Sequence, residues 1–89
     1  MFSIIKYQKN YLLSYQNDIG YCNFSIYPNH LFINYIWVEH HRRHSGIGLQ
    51  MLIYLYNTYN KSIHGEFMSP GGIKLYQNFI DSINSKTEL

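Results

Sequence analysis

The sequence predicts an α/β (α+β) fold: a mixed sheet in which an antiparallel meander is followed by a βαβ unit and a final helix. Three observations carry this. Short Ile-, Leu- and Tyr-rich runs alternate with turn residues up to Pro28. A nearly continuous apolar stretch follows at Leu31–Val38. Beyond Gly46 the hydrophobic period lengthens from two residues to about 3.6, the change that marks a switch from strand to helix.

Residues 3–7 and 11–15 read as two strands joined by a hairpin turn at Gln8-Lys9-Asn10. A second turn at Gln16-Asn17-Asp18 leads to Gly20–Tyr27, where Cys22, Phe24 and Ile26 alternate with Asn23 and Ser25, as in a strand with one buried face. Pro28-Asn29 punctuates the chain. In Leu31–Val38 only Asn34 is clearly polar, which predicts a central strand covered on both faces. Leu52, Leu55, Tyr56 and Tyr59 share one face of a helix. Ser62–Phe67 reads as a strand, and Ile73, Tyr76 and Ile80 as the face of a final helix after a break at Pro70-Gly71-Gly72. Residues 31–67 have the length of one βαβ unit, so their two strands should be parallel, with a right-handed crossover.

The 89 residues make one domain with a modest core, a size at which a ligand or a second copy of the chain adds useful stability, so a homodimer is a live expectation. Seven basic and five acidic residues give a formal charge of +2, too slight to imply nucleic acid or an anionic membrane. Cys22 is the single cysteine and alternates with core positions. It reads as a buried small hydrophobe in a reducing cytoplasm. No run approaches the roughly 20 apolar residues of a spanning helix, and Met1–Tyr7 lacks the form of a secretory leader.

The chemistry concentrates at the end of the central strand, in Val-Glu-His-His-Arg-Arg-His-Ser-Gly-Ile-Gly, residues 38–48. A loop that runs from a strand into a helix N-terminus presents unpaired backbone N–H groups and the positive end of the helix dipole, which suits an anion. Gly46 and Gly48 would let a phosphate approach closely, although a loop end at Gly46 and tight packing at Gly48 explain the same residues. A dinucleotide fingerprint would need a third glycine where Met51 stands, and no Gly-Lys-Ser/Thr follows.

Arg43-His44-Ser45-Gly46-Ile47-Gly48 resembles the signature of the GNAT superfamily of acetyl-CoA-dependent N-acetyltransferases: Arg or Gln, two residues, Gly, one residue, Gly or Ala. The strand closing at Val38, the helix continuing through Leu49–Leu52, and Leu75-Tyr76-Gln77-Asn78-Phe79 are similar to the family's pattern over residues 20–80. The resemblance implies acetyl-CoA as donor. The backbone of His44–Gly48 would hold its pyrophosphate, assisted by Arg42 and Arg43, and the backbone of Trp37 and Val38 would pair with the pantetheine arm. Ser69 stands where the family often has asparagine. Tyr76 would protonate the leaving thiolate, and Glu39 or His40 would relay the proton of the attacking amine.

Two departures shape the expected acceptor. The family places two helices between its first strands, where this chain has a few turn residues. Only Asp81–Leu89 follow the final helix, too few for the family's last two strands. The cofactor half is represented and the acceptor half is mostly absent, so a protein lysine suits better than a small amine. Trimmed members of the family are encoded by phages and mobile elements, some directed at host defence proteins. The rival readings are a non-catalytic interaction module and a phosphate or nucleic-acid binder built on His40–His44 with Tyr35 and Trp37. A metal at His40, His41 and His44 is not expected without a local cysteine or a His-Glu-x-x-His helix.

Overall fold

The computed structural model describes residues 1–43 and 45–87, the side chains of 86 and 87 excepted. Five strands form one sheet in sequential order: β1 (Phe2–Tyr7), β2 (Asn10–Tyr15), β3 (Gly20–Ile26), β4 (His30–Val38) and β5 (Ser62–Gly65). Strands β1 to β4 are an antiparallel meander, and β4 pairs with β5 in parallel. The parallel pair is joined through a short 3-10 turn, His40–Arg42, and helix α1, Ile47–Tyr59. Helix α2, Pro70–Thr87, follows β5. The mixed α+β architecture is the predicted one.

Turn chemistry sets the meander. Gln8, Gln16, Asn17 and Asp18 all adopt positive φ, which sharp reversals between strands demand and which Asn and Asp tolerate best among residues with a side chain. Asn60 closes α1 in the left-handed conformation, with its N–H donating to the Tyr56 carbonyl.

The core lies between one face of the sheet and the helices. Leu13, Cys22, Phe24, Leu31, Ile33 and Ile63 point from the strands towards Ile47, Met51, Leu52 and Leu55 of α1 and Phe79 of α2. Small residues allow the closest approaches. A Cβ at Gly20 would stand 3.2 Å from Ile47 and from Met51, and one at Gly48 would stand 3.3 Å from Leu75 of α2. Met51, which breaks the dinucleotide fingerprint, is thus a packing residue.

Four expectations are corrected. Strand β4 is not covered on both faces: Leu31 and Ile33 face the core, whereas Tyr35 and Trp37 are exposed on the opposite side. Aromatics tolerate half-exposure, so an apolar run containing Tyr and Trp does not require two layers. Pro70-Gly71-Gly72 is the first turn of α2, because Pro suits the first helical position and Ser69 caps the end. Of the expected helix face, Tyr76 and Ile80 pack on the core, joined by Leu75, Phe79 and Ile83, whereas Ile73, in that first turn, is exposed.

The last strand stops at Gly65 instead of Phe67. A Cβ at position 65 would stand 3.0 Å from the Ile33 carbonyl oxygen and 2.9 Å from the Phe67 ring, so the backbone comes close to β4 there and then turns away.

Candidate functional site

Strand β4 has two halves. Residues His30–Ile33 pair with β3 on one side and β5 on the other; beyond Ile33 the partner on the β5 side is gone. A bulge at Asn34 shifts the β3 register from Ile33↔Phe24 to Tyr35↔Asn23, while β5 departs after Gly65. The two strands part, and a cleft of about 320 Å³ opens between Ile33–Ile36 and Glu66–Ser69, closed at one end by Gly72.

The ladder alternation fixes which peptide groups face this cleft. Glu39 N–H donates to the Ile19 carbonyl, so the odd residues of β4 beyond the bulge turn their peptide groups towards β3. Ile36 and Val38 then turn theirs to the open edge. The Val38 carbonyl accepts a 2.9 Å hydrogen bond from Arg43 Nε. An extended chain laid in the opening would meet the peptide groups of Ile36 and the N–H of Val38, as an added strand does.

Helix α1 begins beside this edge. A Cβ on Gly48 would lie 3.9 Å from Ile36 Cδ1, which puts the helix's first turn against a residue of the cleft. Gly46 is the N-cap, at φ 87°, with open space where its side chain would be. Among the described residues no side chain caps α1, no acidic residue occupies its first turn, and Gln50 is the first N–H bonded back, to the Gly46 carbonyl. The N–H groups ahead of it are the groups an anion uses. The preceding loop is held by Arg42 N–H to the Glu39 carbonyl and by the Ser45 hydroxyl, which donates to the Arg42 carbonyl. Arg42, Arg43 and Ser45 are exposed around this end, and His44 lies outside the described residues.

The sequence-predicted residues divide. The structure brings together the open edge of β4 at Val38, the Arg42–Arg43 charges, and Gly46, Ile47 and Gly48. Trp37 points its side chain to the opposite face of the sheet, and its peptide faces β3, so only Val38 of that pair turns its peptide to the edge. Ser69 lines the cleft, but its Oγ accepts from Gly72 N–H at 3.0 Å, as the cap of α2. Glu39 and His40 lie past the strand end, outside the cleft lining.

Tyr76 is committed elsewhere. Its hydroxyl donates to the Ile63 carbonyl at 2.8 Å, and its ring stacks on Phe67 at 4.8 Å. It therefore stands behind the cleft wall and braces the strand that parts from β4. Phe67, Glu66 and Met68 are lining residues that the sequence reading did not single out; the signal available was Gly65, a glycine at the end of an apolar run.

The titrating groups with displaced pKa values lie away from the cleft. Burial pushes the Cys22 thiol up to about 12, which removes it as a nucleophile near neutral pH. Desolvation, and then the Asp18 carboxylate, raise Tyr21; desolvation, and then Tyr11 and Tyr54, raise Tyr59. A larger hollow of about 450 Å³ lies between Met1 and the 16–18 turn, lined by Ser3, Ser14 and Asp18. No helix N-terminus and no basic side chain line it, so the smaller cleft, beside the start of α1, is the better candidate for an anionic ligand. No helix among the described residues is long and apolar enough to cross a membrane.

No family model and no curated protein matches this chain.

Proposed function

We propose that the chain is an N-acetyltransferase that moves the acetyl group of acetyl-CoA to an amine, most readily a lysine of a protein partner. The observation that carries this reading is the parting of β4 and β5 beyond Ile33 and Gly65, next to an uncapped helix start. A thioester on a long, amide-containing arm needs an extended groove with strand-like pairing, and the pyrophosphate at its other end needs a cluster of N–H donors. The edge at Ile36–Val38 and the start of α1 offer these side by side, with Arg42 and Arg43 adding positive charge.

In the proposed reaction, the neutral amine attacks the thioester carbonyl carbon, the C–N bond forms and the C–S bond breaks, the nitrogen gives up a proton, and the departing thiolate takes up one in its place. A peptide N–H at the β4 edge would polarise the carbonyl as it becomes an oxyanion. A protein acceptor is favoured because the sheet has no helices between β1 and β2 to enclose a small amine. A second reading, a module that binds the cofactor without catalysis, is favoured by one contact: the Tyr76 hydroxyl, the candidate acid, is spent on the Ile63 carbonyl.

Isothermal titration with acetyl-CoA is the test, with a single-stranded oligonucleotide as the control. Micromolar binding of acetyl-CoA and none of the oligonucleotide is expected. No acetyl-CoA binding would remove both readings and leave Gly46 as a loop end with positive φ and Gly48 as a packing residue.

A further inference from the structure

The face of the sheet turned away from the helices has an unusual composition. The five strands carry one charged residue among Asp, Glu, Lys and Arg: Lys6, which lies on the helix side over the Tyr11 ring. By strand alternation the outer face carries none. Its exposed members include large apolar groups: Ile5 at 51%, Tyr7 at 45%, Tyr35 at 52% and Trp37 at 39% exposure.

Taking about 150–250 Å² for a whole aromatic side chain, these four expose roughly 350 Å². Divided between β1 and β4, with Leu12 and Asn23 between them, that is nearly half of the about 800 Å² that each partner gives to a stable interface.

Four polar side chains near the middle of this face are paired with one another. Asn34 Nδ2 donates to Asn23 Oδ1 at 2.8 Å and to Ser25 Oγ at 3.1 Å, and Ser25 Oγ donates to Asn10 Oδ1 at 2.9 Å. Asn10 Nδ2 completes the ring, donating to Asn23 Oδ1 at 3.4 Å. Asn23 is buried although it faces outwards. Pairing of this kind lowers the usual cost of covering amides, because fewer donors are left without a partner.

We infer that this face is an interface between two copies of the chain. The strands bring no Asp, Glu, Lys or Arg to this face, and the groups that can carry charge there, His30 and His64 on β4 and β5 and Asp18 beside Tyr21, lie at its margins, so it meets its own copy with little like-charge penalty, and the register supplies the match. Ile5, Leu12, Asn23 and Tyr35 form one row across β1, β2, β3 and β4. A two-fold axis running along the strands beneath β2 and β3 sets Ile5 of each copy against Tyr35 of the other, with the amide clusters at the centre. Such self-complementarity is the property of a closed dimer interface. The inference does not depend on the proposed acetyl transfer.

Trp37, the sole tryptophan, sits on this face and reports on it. Sedimentation equilibrium of the full chain should give twice the 10.7 kDa chain mass at high concentration. Trp37 emission should shift to the red on dilution, along the same concentration curve. Ile5→Lys, remote from the cleft, should raise the dimer dissociation constant about thirtyfold or more, as removal of an interface anchor does, with the circular dichroism spectrum unchanged. A monomer at every concentration overturns the inference. So does a dimer whose dissociation leaves Trp37 emission unchanged, or one that folded Ile5→Lys does not weaken. If Ile5→Lys unfolds, Tyr7→Lys on the same face takes its place.

Discussion

Helix α2 starts behind a serine that caps it, whereas α1 starts behind a glycine that does not, and the difference bears on which end can take a ligand. At α2, Ser69 Oγ accepts from Gly72 N–H, the Ser69 carbonyl accepts from Ile73 N–H, and Pro70 removes one donor outright. At α1, Gly46 contributes its carbonyl to Gln50 and no side chain at all. One helix start satisfies itself locally. The other leaves N–H groups with no partner among the described residues, and it does so beside the open edge of β4.

The largest effect should come from placing a carboxylate at the open end. Gly46 has φ 87°, a conformation that Asn and Asp tolerate better than other residues with a side chain, so Gly46→Asp and Gly46→Asn carry comparable strain and differ mainly in charge. At about 5 Å and an effective dielectric near 20, a carboxylate and a phosphate oxygen repel by roughly 3 kcal/mol. Acetyl-CoA affinity should therefore be about a hundredfold weaker in the Asp variant than in the Asn variant. Thermal stability should move the other way, since a negative charge at a helix N-terminus is favourable by about 0.3–1 kcal/mol. Equal affinities for the two variants would show that no phosphate sits there.

Capping Ser69 gives the next effect. Ser69→Ala should cost about 1 kcal/mol of stability, which lowers the melting temperature of a domain this size by roughly 4–8 °C. Acetyl-CoA affinity, measured well below the melting temperature, should stay unchanged. A loss of affinity with little loss of stability would mean that the hydroxyl turns to the ligand, as the family resemblance implies, and that the two helix starts are less different than the geometry makes them.

How far the sequence discloses such features depends on their range. Strand β3 is legible because Cys22, Phe24 and Ile26 alternate, and the buried face of α1 because Leu52 and Leu55 keep helical spacing. The loop into α1 is legible because Gly46 needs a positive φ. The start of α2 reads as a break, because Pro and Gly signal interruption and the capping role of Ser69 appears only once the helix is seen to follow. The cleft is less legible still. It arises where Gly65 lets β5 leave β4, a backbone event between residues more than thirty positions apart in sequence. The hydrogen bond from Tyr76 to Ile63 is not legible in the chain, since nothing in the sequence separates Tyr76 from the other nine tyrosines as its donor. That bond predicts that Tyr76→Phe loses about 0.5–1.5 kcal/mol in denaturant unfolding, and an unchanged midpoint would free the hydroxyl for chemistry.

The smallest effect is expected at Gly48, the position where packing and phosphate binding compete as explanations of the same residue. A Cβ there would meet Leu75 Cδ2 at 3.3 Å and Cδ1 at 3.4 Å, both at the end of a side chain that can shift by a few tenths of an ångström. Against that crowding stands the gain of about 1 kcal/mol when Ala replaces Gly in a helix. The two offset, so Gly48→Ala should change stability by less than about 0.5 kcal/mol, with α2 still seated on α1. Under the packing explanation alone, acetyl-CoA affinity should be as indifferent as stability. If phosphate oxygens approach the first turn of α1, the added methyl should weaken binding severalfold while the melting temperature stays put. Titration and melting of this single variant therefore separate the two, and a loss of both together would show that Leu75 cannot move and that Gly48 is there for the helix pair.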